Sequence, residues 1–271
     1  MKIAYLGPKG TFSEEAAQRY FNQDEVEFTM YDTIPDVIDA VGEDKVERAI
    51  VPLENTIEGT INMTIDTLSS CEGLVIEGEY TLPVSLHLLA NKQCKISSVH
   101  EVWSISPILT QCRKYIRQRS VKSLQFDSSA SAAQTLKSSG RLDVAAIGSE
   151  SLAALLDLDI VDRNIQDHPN NQTRFIIISK QMNTDGDAKK TMFVITPDQE
   201  QPGVLSSILN VFTALNINLS WIESRPTAHQ LGSYRFFLEA DNDCSVITVN
   251  KAKTILETLG HHVRILGRYN D

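Results

Sequence analysis

Strand-like and helix-like hydrophobic patterns alternate through the first two thirds of this chain, and that alternation limits the possible folds more than any other feature. Ile3–Leu6 reads as a buried strand and Gly7-Pro8-Lys9-Gly10 as a turn, and Thr11 with Glu14 three residues on has capping-box spacing. A helix carrying Ala16, Ala17, Tyr20 and Phe21 follows, then a strand in which Val26, Phe28 and Met30 alternate. Thr33 opens a helix whose buried stripe, Ile34, Val37, Ile38 and Val41, has helical spacing. Ala49-Ile50-Val51 is a strand ending at Pro52, and Ile61, Ile65 and Leu68 mark another helix. Such alternation predicts an α/β fold with parallel sheets, and ligands at the carboxyl ends of strands or between lobes.

From Tyr80 to Ala90 the period changes to two, with Leu82, Val84, Leu86 and Leu88 on one side and Pro83 as a break. This is the signature of an extended crossing into a second lobe. That lobe holds a strand at Val102–Ile105, a helix opened by Ser106-Pro107, a helix over Ala130–Leu136 and a strand at Val144–Ile147. The chain returns near Ile160, and Phe175–Ile178 is a last buried strand. The reading is therefore a first lobe over residues 1–80 and 160–180 and a second over 81–159. Gln181–Lys190 is polar, contains Asp185-Gly186-Asp187, and reads as a linker. Residues 190–271 then follow the order βαββαβ, the ferredoxin-like plan.

Composition excludes several classes. Lys and Arg number 25 against 35 Asp and Glu, a net charge of −10, so the chain has no general attraction to nucleic acid or anionic membranes. The four cysteines, Cys71, Cys94, Cys112 and Cys244, form no CxxC pair, which points to reduced thiols rather than metal ligation or disulfides. Met1–Gly7 is too short in apolar length for a signal peptide, and no apolar run could span a bilayer; the expectation is a cytoplasmic protein.

Four polar clusters stand at the ends of these strands. Gly7–Ser13 offers free N–H groups at a helix start, which suit an anion, but taken alone reads first as an ordinary turn with a Thr cap. Pro52–Thr60 carries Asn55 and Thr56 toward a strand-end crevice, where either could simply close the next helix. Asp127-Ser128-Ser129-Ala130-Ser131 before an Ala-rich run has the look of a cap. Asn170–Phe175 runs directly into a buried strand, and there Arg174 could hold an anion or make a structural ion pair. No Ser/His/Asp or Cys/His grouping and no metal-ligand spacing appears; His87, His100 and His168 read as packing or surface residues, and His229, His261 and His262 lie outside the first segment. The chemistry expected is hydrogen bonding and electrostatics, with no cofactor or metal. In the last segment, Gly203 at a helix start exposes N–H groups that a carboxylate could use, or that an ordinary cap would.

Taken together, Gly7-Pro8-x-Gly-Thr11-Phe12-Ser13, Val51-Pro52-x-Glu54-Asn55-Thr56-x-x-Gly59, Asn171-x-Thr173-Arg174-Phe175 and Ile222-Glu223-Ser224-Arg225-Pro226 resemble the prephenate dehydratase family in order and spacing along almost the whole chain. The resemblance implies a two-lobed, periplasmic-binding-protein-like catalytic domain over residues 1–180 with its site in the interlobe cleft. It implies an ACT regulatory domain over 190–271 that pairs with a second copy and binds phenylalanine at the interface, in a homodimer or dimer of dimers. A fused chorismate mutase domain is not expected, because the first strand starts at Ile3. Three departures stand out: Thr56 where the family has Ser, Val102–Pro107 without the His-Pro-Gln that usually precedes Gln111-Cys112, and Gly203-Val204-Leu205-Ser206 in place of Gly-Ala-Leu-Val.

The activity implied is loss of water and carbon dioxide from prephenate to give phenylpyruvate. Thr173 would donate to the departing hydroxyl, with Asn55 and Thr56 as further catalytic residues. Thr11, Phe12, Ser13, Ser128, Ser129, Arg174 and Phe175 would bind substrate, Arg174 either by holding a carboxylate or by bracing the loop. Phenylalanine would bind to Gly203, Val204, Leu205, Asn216, Asn218, Glu223, Ser224, Arg225 and Pro226. Two alternatives remain: arogenate dehydratase, and a non-catalytic protein that binds small anions.

Overall fold

The computed structural model describes residues 1–22, 25–181, 188–199, 201–227, 232–241 and 246–270. From the N-terminus run β1 (Lys2–Leu6), α1 (Phe12–Tyr20), β2 (Glu27–Tyr31), α2 (Ile34–Gly42), β3 (Arg48–Asn55), β4 (Gly59–Thr60), α3 (Asn62–Ser70) and β5 (Val75–Pro83). The chain crosses into β6 (His87–Ala90), β7 (Glu101–Ser104), α4 (Ser106–Gln111), α5 (Arg113–Arg119), β8 (Lys122–Gln125), α6 (Ser129–Ser139), β9 (Val144–Gly148), α7 (Glu150–Leu155) and β10 (Asp159–Asp162). It returns as β11 (Gln172–Ser179) and ends in β12 (Lys190–Pro197), α8 (Val204–Ala214), β13 (Asn218–Pro226), β14 (Tyr234–Asp241), α9 (Val246–Thr258) and β15 (His261–Tyr269).

Two mixed sheets result. The larger runs β13-β14-β12-β15-β5-β11-β3-β1-β2, with β4 beside β3, and the smaller runs β10-β6-β9-β7-β8. The parallel arrangement expected from βα alternation holds for β1, β2 and β3 in the larger sheet and for β9, β7 and β8 in the smaller. β11 lies antiparallel between β3 and β5, because both β5 and β11 are crossing strands that enter or leave the second lobe. β10 pairs with β6 in the smaller sheet, so the return falls after Asp162 rather than at Ile160.

β3 does not stop at Pro52 but continues to Asn55. Pro52 has no N–H to give the ladder, yet it sits where the register slips: Glu54 faces Arg174 and Pro52 faces Phe175, leaving Leu53 as an extra residue. A bulge is one of the few places a sheet tolerates proline. Just beyond the bulge, Asn55 of β3 and Thr173 of the antiparallel β11 face each other.

The C-terminal segment has the order expected, β12-α8-β13-β14-α9-β15, with its four strands antiparallel in the sequence β13-β14-β12-β15. One face of this sheet packs on its own helices through Phe193, Ile195, Ile208, Phe212, Leu238 and Leu256. The other face shares a core with the first lobe, where Met192, Val194, Trp221, Phe237 and Leu266 meet Leu68, Ile76 and Ile178. β15 touches β5 in parallel at Gly267 and Ile76, an approach that glycine alone permits, since a Cβ there would lie 2.1 Å from the Ile76 carbonyl oxygen. Asp185-Gly186-Asp187, read as part of the linker, lies outside the described residues.

Candidate active site

The polar groups beyond the bulge form one directional chain. Asn55 closes an Asx turn, its Oδ1 accepting from the N–H groups of Ile57 (2.9 Å) and Glu58 (3.2 Å). That fixes which end of the amide is which, and its Nδ2 must face acceptors. Its two protons are shared among three acceptors, Asn171 Oδ1 (2.9 Å), the Gln172 carbonyl (3.1 Å) and Thr173 Oγ1 (3.0 Å). Asn171, only 2% exposed, passes the direction on. Its Nδ2 donates to Gln111 Oε1 (2.9 Å), and Gln111 Nε2 donates to Glu58 Oε1 (2.8 Å). Backbone N–H groups anchor one end of the chain and a carboxylate the other, so every amide has a single satisfactory orientation. Gln111 belongs to α4 of the second lobe, and the chain therefore spans the interlobe cleft.

Thr173 is half-buried at the start of β11. Because its oxygen already accepts from Asn55, its own O–H proton is directed elsewhere, and among the described residues no acceptor takes it. Thr56 braces the loop: Oγ1 accepts from the Gln172 N–H (3.0 Å) and lies 3.4 Å from both the Asn170 carbonyl and Asn171 Oδ1.

The other residues expected at the site are engaged locally. Thr11 caps α1, accepting from the Glu14 N–H (3.4 Å) and donating to the Leu6 carbonyl (3.3 Å). Glu14 reaches back to the Gly10 N–H (2.6 Å), so the capping box closes one residue earlier than its spacing suggests. Ser13 is buried, and Phe12 packs against the cores of both lobes. Ser128 and Ser131 form a reciprocal capping box at the start of α6, and Ser129 is buried beside them. Phe175 is buried beneath the site with Tyr5, Ile50 and Leu82. Among the described residues no hydrogen bond joins Thr11, Ser13, Ser128 or Ser129 to the Asn55 chain.

Arg174 points to the opposite face of β11. Its Nε donates to Glu79 Oε2 (2.7 Å), and its Nη2 pairs with Glu239 of the C-terminal segment. Glu79 also receives Lys190, and Glu239 receives Tyr269 Oη (2.6 Å) and Ser220 Oγ (2.7 Å). Of the two roles left open for Arg174, this geometry supports bracing. Burial would push the Glu239 carboxyl up, but Arg174 and its hydroxyl donors more than offset that and hold it below its ordinary value.

In the C-terminal segment Gly203 opens α8 at φ +86 with no side-chain cap and open space around it. Glu223 and Arg225 turn toward the first lobe. Glu223 Oε2 accepts from Thr60 Oγ1 (2.8 Å), and Arg225 pairs with Asp66 of α3 (2.7 Å). Ile222, Ser224 and Pro226 remain exposed. Asn216 has φ +54 in the turn before β13, whose first residue is Asn218. His87 is a packing histidine, its Nδ1 accepting from the Asn164 N–H (3.1 Å) and its pKa lowered by burial. Burial likewise pushes the Cys112 thiol up to about 12. Asn171, Gln111 and Glu58 were not singled out from sequence. Asn171 and Glu58 lie within quoted motifs and Gln111 in the Gln111-Cys112 pair, but local pattern gives Gln111 no role, because its partner is 60 residues away.

The fold is thus a two-lobed α/β protein whose lobes are joined by a fixed chain of amides, with the Thr173 hydroxyl branching from it. The family model for prephenate dehydratase matches residues 3–183. The prephenate dehydratase of Bacillus subtilis strain 168 is 37% identical over 281 aligned residues, covering 99% of this chain and 98% of that one. A solved prephenate dehydratase from Staphylococcus aureus Mu50 superposes with TM-score 0.89 at 39% identity over the whole of both chains. The Arthrobacter aurescens prephenate dehydratase, solved in complex with L-Phe, gives TM-score 0.91 at 28% identity, covering 100% of this chain and 90% of that one. The chain belongs to the prephenate dehydratase family. Among the described residues no helix is long and apolar enough to cross a membrane, and no group of three or more His, Cys, Asp or Glu is placed to hold a metal ion.

Proposed function

We propose that the Asn55–Asn171–Thr173 chain is where this prephenate dehydratase acts on prephenate, releasing water and carbon dioxide to give phenylpyruvate. The bond from the ring to its carboxylate breaks, and the electron pair moves through the ring as it becomes aromatic. The opposite C–O bond breaks, and the hydroxyl leaves with its bonding pair and takes a proton from solvent to become water. Thr173 donates to that oxygen. The observation that carries this reading is the Asn55 Nδ2 contact on Thr173 Oγ1, which leaves the threonine proton for an outside acceptor. The same contact polarises the O–H, and a donor set in place beforehand costs no reorganisation during the reaction. Asn55 and Thr56 hold the donor in position. The free N–H groups at the starts of α1 and α6, around Thr11–Ser13 and Ser128–Ser129, take the substrate carboxylates, while Phe12 and Phe175 keep water out. Thr173→Ala should lower kcat by about 10²–10³-fold, the cost typical of removing one such donor. KM should stay within a few fold, because the bond strengthens mainly in the transition state. Absorbance of phenylpyruvate reports the rate, and near-normal turnover would remove Thr173 from this role.

Residues 190–271 form an ACT-type regulatory unit that binds phenylalanine between two copies, in a homodimer or dimer of dimers. The effector carboxylate lies against the N–H groups of Gly203, Val204 and Leu205, with Asn216, Asn218, Ser224 and Pro226 nearby. The uncapped start of α8 and the L-Phe complex of the Arthrobacter relative support this. Gly203→Asp should abolish calorimetric phenylalanine binding, while Gly203→Asn, which tolerates the same backbone without a charge, should retain part of it. Equal binding by both variants would move the effector elsewhere.

A further inference from the structure

The strongest unexplained feature outside the amide chain is the buried ionic cluster behind it. Arg174 is 14% exposed at its side chain, Glu79 4% and Glu239 1%, and Glu239 comes from a strand 65 residues further along. We propose that Glu239, on β14 of the C-terminal segment, is a positioning residue for Thr173 that acts through Arg174. The proposal rests on the reading of Thr173 as the donor.

Three observations lead to it. First, Thr173 and Arg174 are adjacent on a strand, so their side chains leave opposite faces of the same short length of backbone. Fixing one guanidinium behind the sheet fixes the peptide that carries the hydroxyl in front. Second, Arg174 lies at the register slip, opposite Glu54, with the extra residue Leu53 next on β3. A bulge lacks part of the ladder that would otherwise set the strand's position, so something else must supply the constraint. The two carboxylates do so from two directions, Glu79 from neighbouring β5 and Glu239 from β14. Third, Glu239 is itself held. Tyr269 is fully buried and donates to it at 2.6 Å, and Ser220 donates at 2.7 Å. The anchor that reaches Arg174 from the C-terminal segment is thus rigid. The strand partners of Glu239, Trp221 on β13 and Met192 on β12, both lie in the core shared with the first lobe.

A displacement of about 1 Å in a catalytic group can cost as much as 10²-fold in rate. Glu239→Gln keeps the size of the side chain, removes its charge and turns one of its two acceptor oxygens into a donor. It should lower kcat by about tenfold and leave KM within about threefold, the signature of a lost transition-state interaction. The decisive measurement is a double-mutant cycle. In a Thr173→Ala background there is no hydroxyl left to misplace, so Glu239→Gln should lower kcat no further, while its effect on the melting temperature should persist in both backgrounds. Tyr269→Phe, which keeps the ring and removes one donor to Glu239, is the gentler variant. It should lose about two- to threefold in kcat, again only when Thr173 is present. Wild-type kcat in folded Glu239→Gln overturns the proposal, and so does an equal loss in both backgrounds. If Glu239→Gln does not fold, unchanged kcat in Tyr269→Phe overturns it. Full turnover in Thr173→Ala alone sinks the donor reading and this proposal together, whereas a loss there with none in the Glu239 and Tyr269 variants sinks only this one.

Discussion

Thr173 and Arg174 are consecutive residues, yet they belong to two different kinds of polar site. In front of the sheet, Thr173 branches from a directional chain of neutral amides, accepting from Asn55 while its own proton remains available. Behind it, Arg174 is enclosed by carboxylates, a lysine and a tyrosine hydroxyl, with its donors directed at ions. The first arrangement suits chemistry, because neutral donors can be oriented without a large desolvation cost and can strengthen as charge develops. The second suits anchoring: a buried ion pair is stiff, and expensive to break from one side. One strand thus carries a reactive face and a fixed face, and the bulge at Arg174 joins them.

Removing one partner from the fixed face should produce the largest effect. Arg174→Met leaves Glu239 and Glu79 buried without their guanidinium, and should destabilise the fold by about 3–5 kcal/mol, read from chemical denaturation. A loss below about 1 kcal/mol, the scale of a surface pair, would mean that the cluster is not the anchor described. An intermediate effect should follow from cutting the neutral chain at its far end. Gln111→Leu strips Asn171 Nδ2 and the exposed Glu58 of their partner across the lobes, and the buried bond left unmade at Asn171 is worth about 1–3 kcal/mol. Because Gln111 bridges the cleft, kcat/KM should fall by about tenfold, in keeping with that range. Unchanged kinetics would show that the amide chain does not depend on lobe closure. The smallest effect on stability should come from the residue with the largest effect on rate. Thr173→Ala removes a half-buried hydroxyl that accepts one bond, so it should cost only about 0.5–1.5 kcal/mol of stability. A cost as large as that of Arg174→Met would erase the distinction between the two faces.

The junction between segments bears on the same comparison. The C-terminal sheet was expected to stand apart behind a polar linker, and its element order was indeed legible from hydrophobic period alone. Its contacts were not. Trp221, Phe237 and Leu266 share a core with Ile76 and Ile178, Glu223 and Arg225 reach Thr60 and Asp66, and Arg264 caps the end of α3 through the Ser69 and Cys71 carbonyls. Glu223 and Arg225 were read as effector ligands because they lie in one motif with Ser224 and Pro226. The strand alternates its faces, however, so a contiguous motif is divided between two surfaces.

What the sequence determined by itself is local. The stripe of α2, the caps at Thr11, Thr33 and Ser128, the two-residue period of the crossing strands and the βαββαβ tail depend on neighbours within a few residues. Asn55, Thr56 and Thr173 were also marked, through motifs whose residues prove to be hydrogen-bonded to one another. Tertiary structure decided the rest. It carried β3 through Pro52, because a bulge relieves proline of its missing donor. It turned Arg174 away from the cleft, because buried carboxylates stood 95 and 65 residues away. It also recruited Gln111 from the other lobe. Periodicity reports which face of an element is apolar, but the partner of a buried charge or amide is set by which strands become neighbours, and no local pattern encodes that.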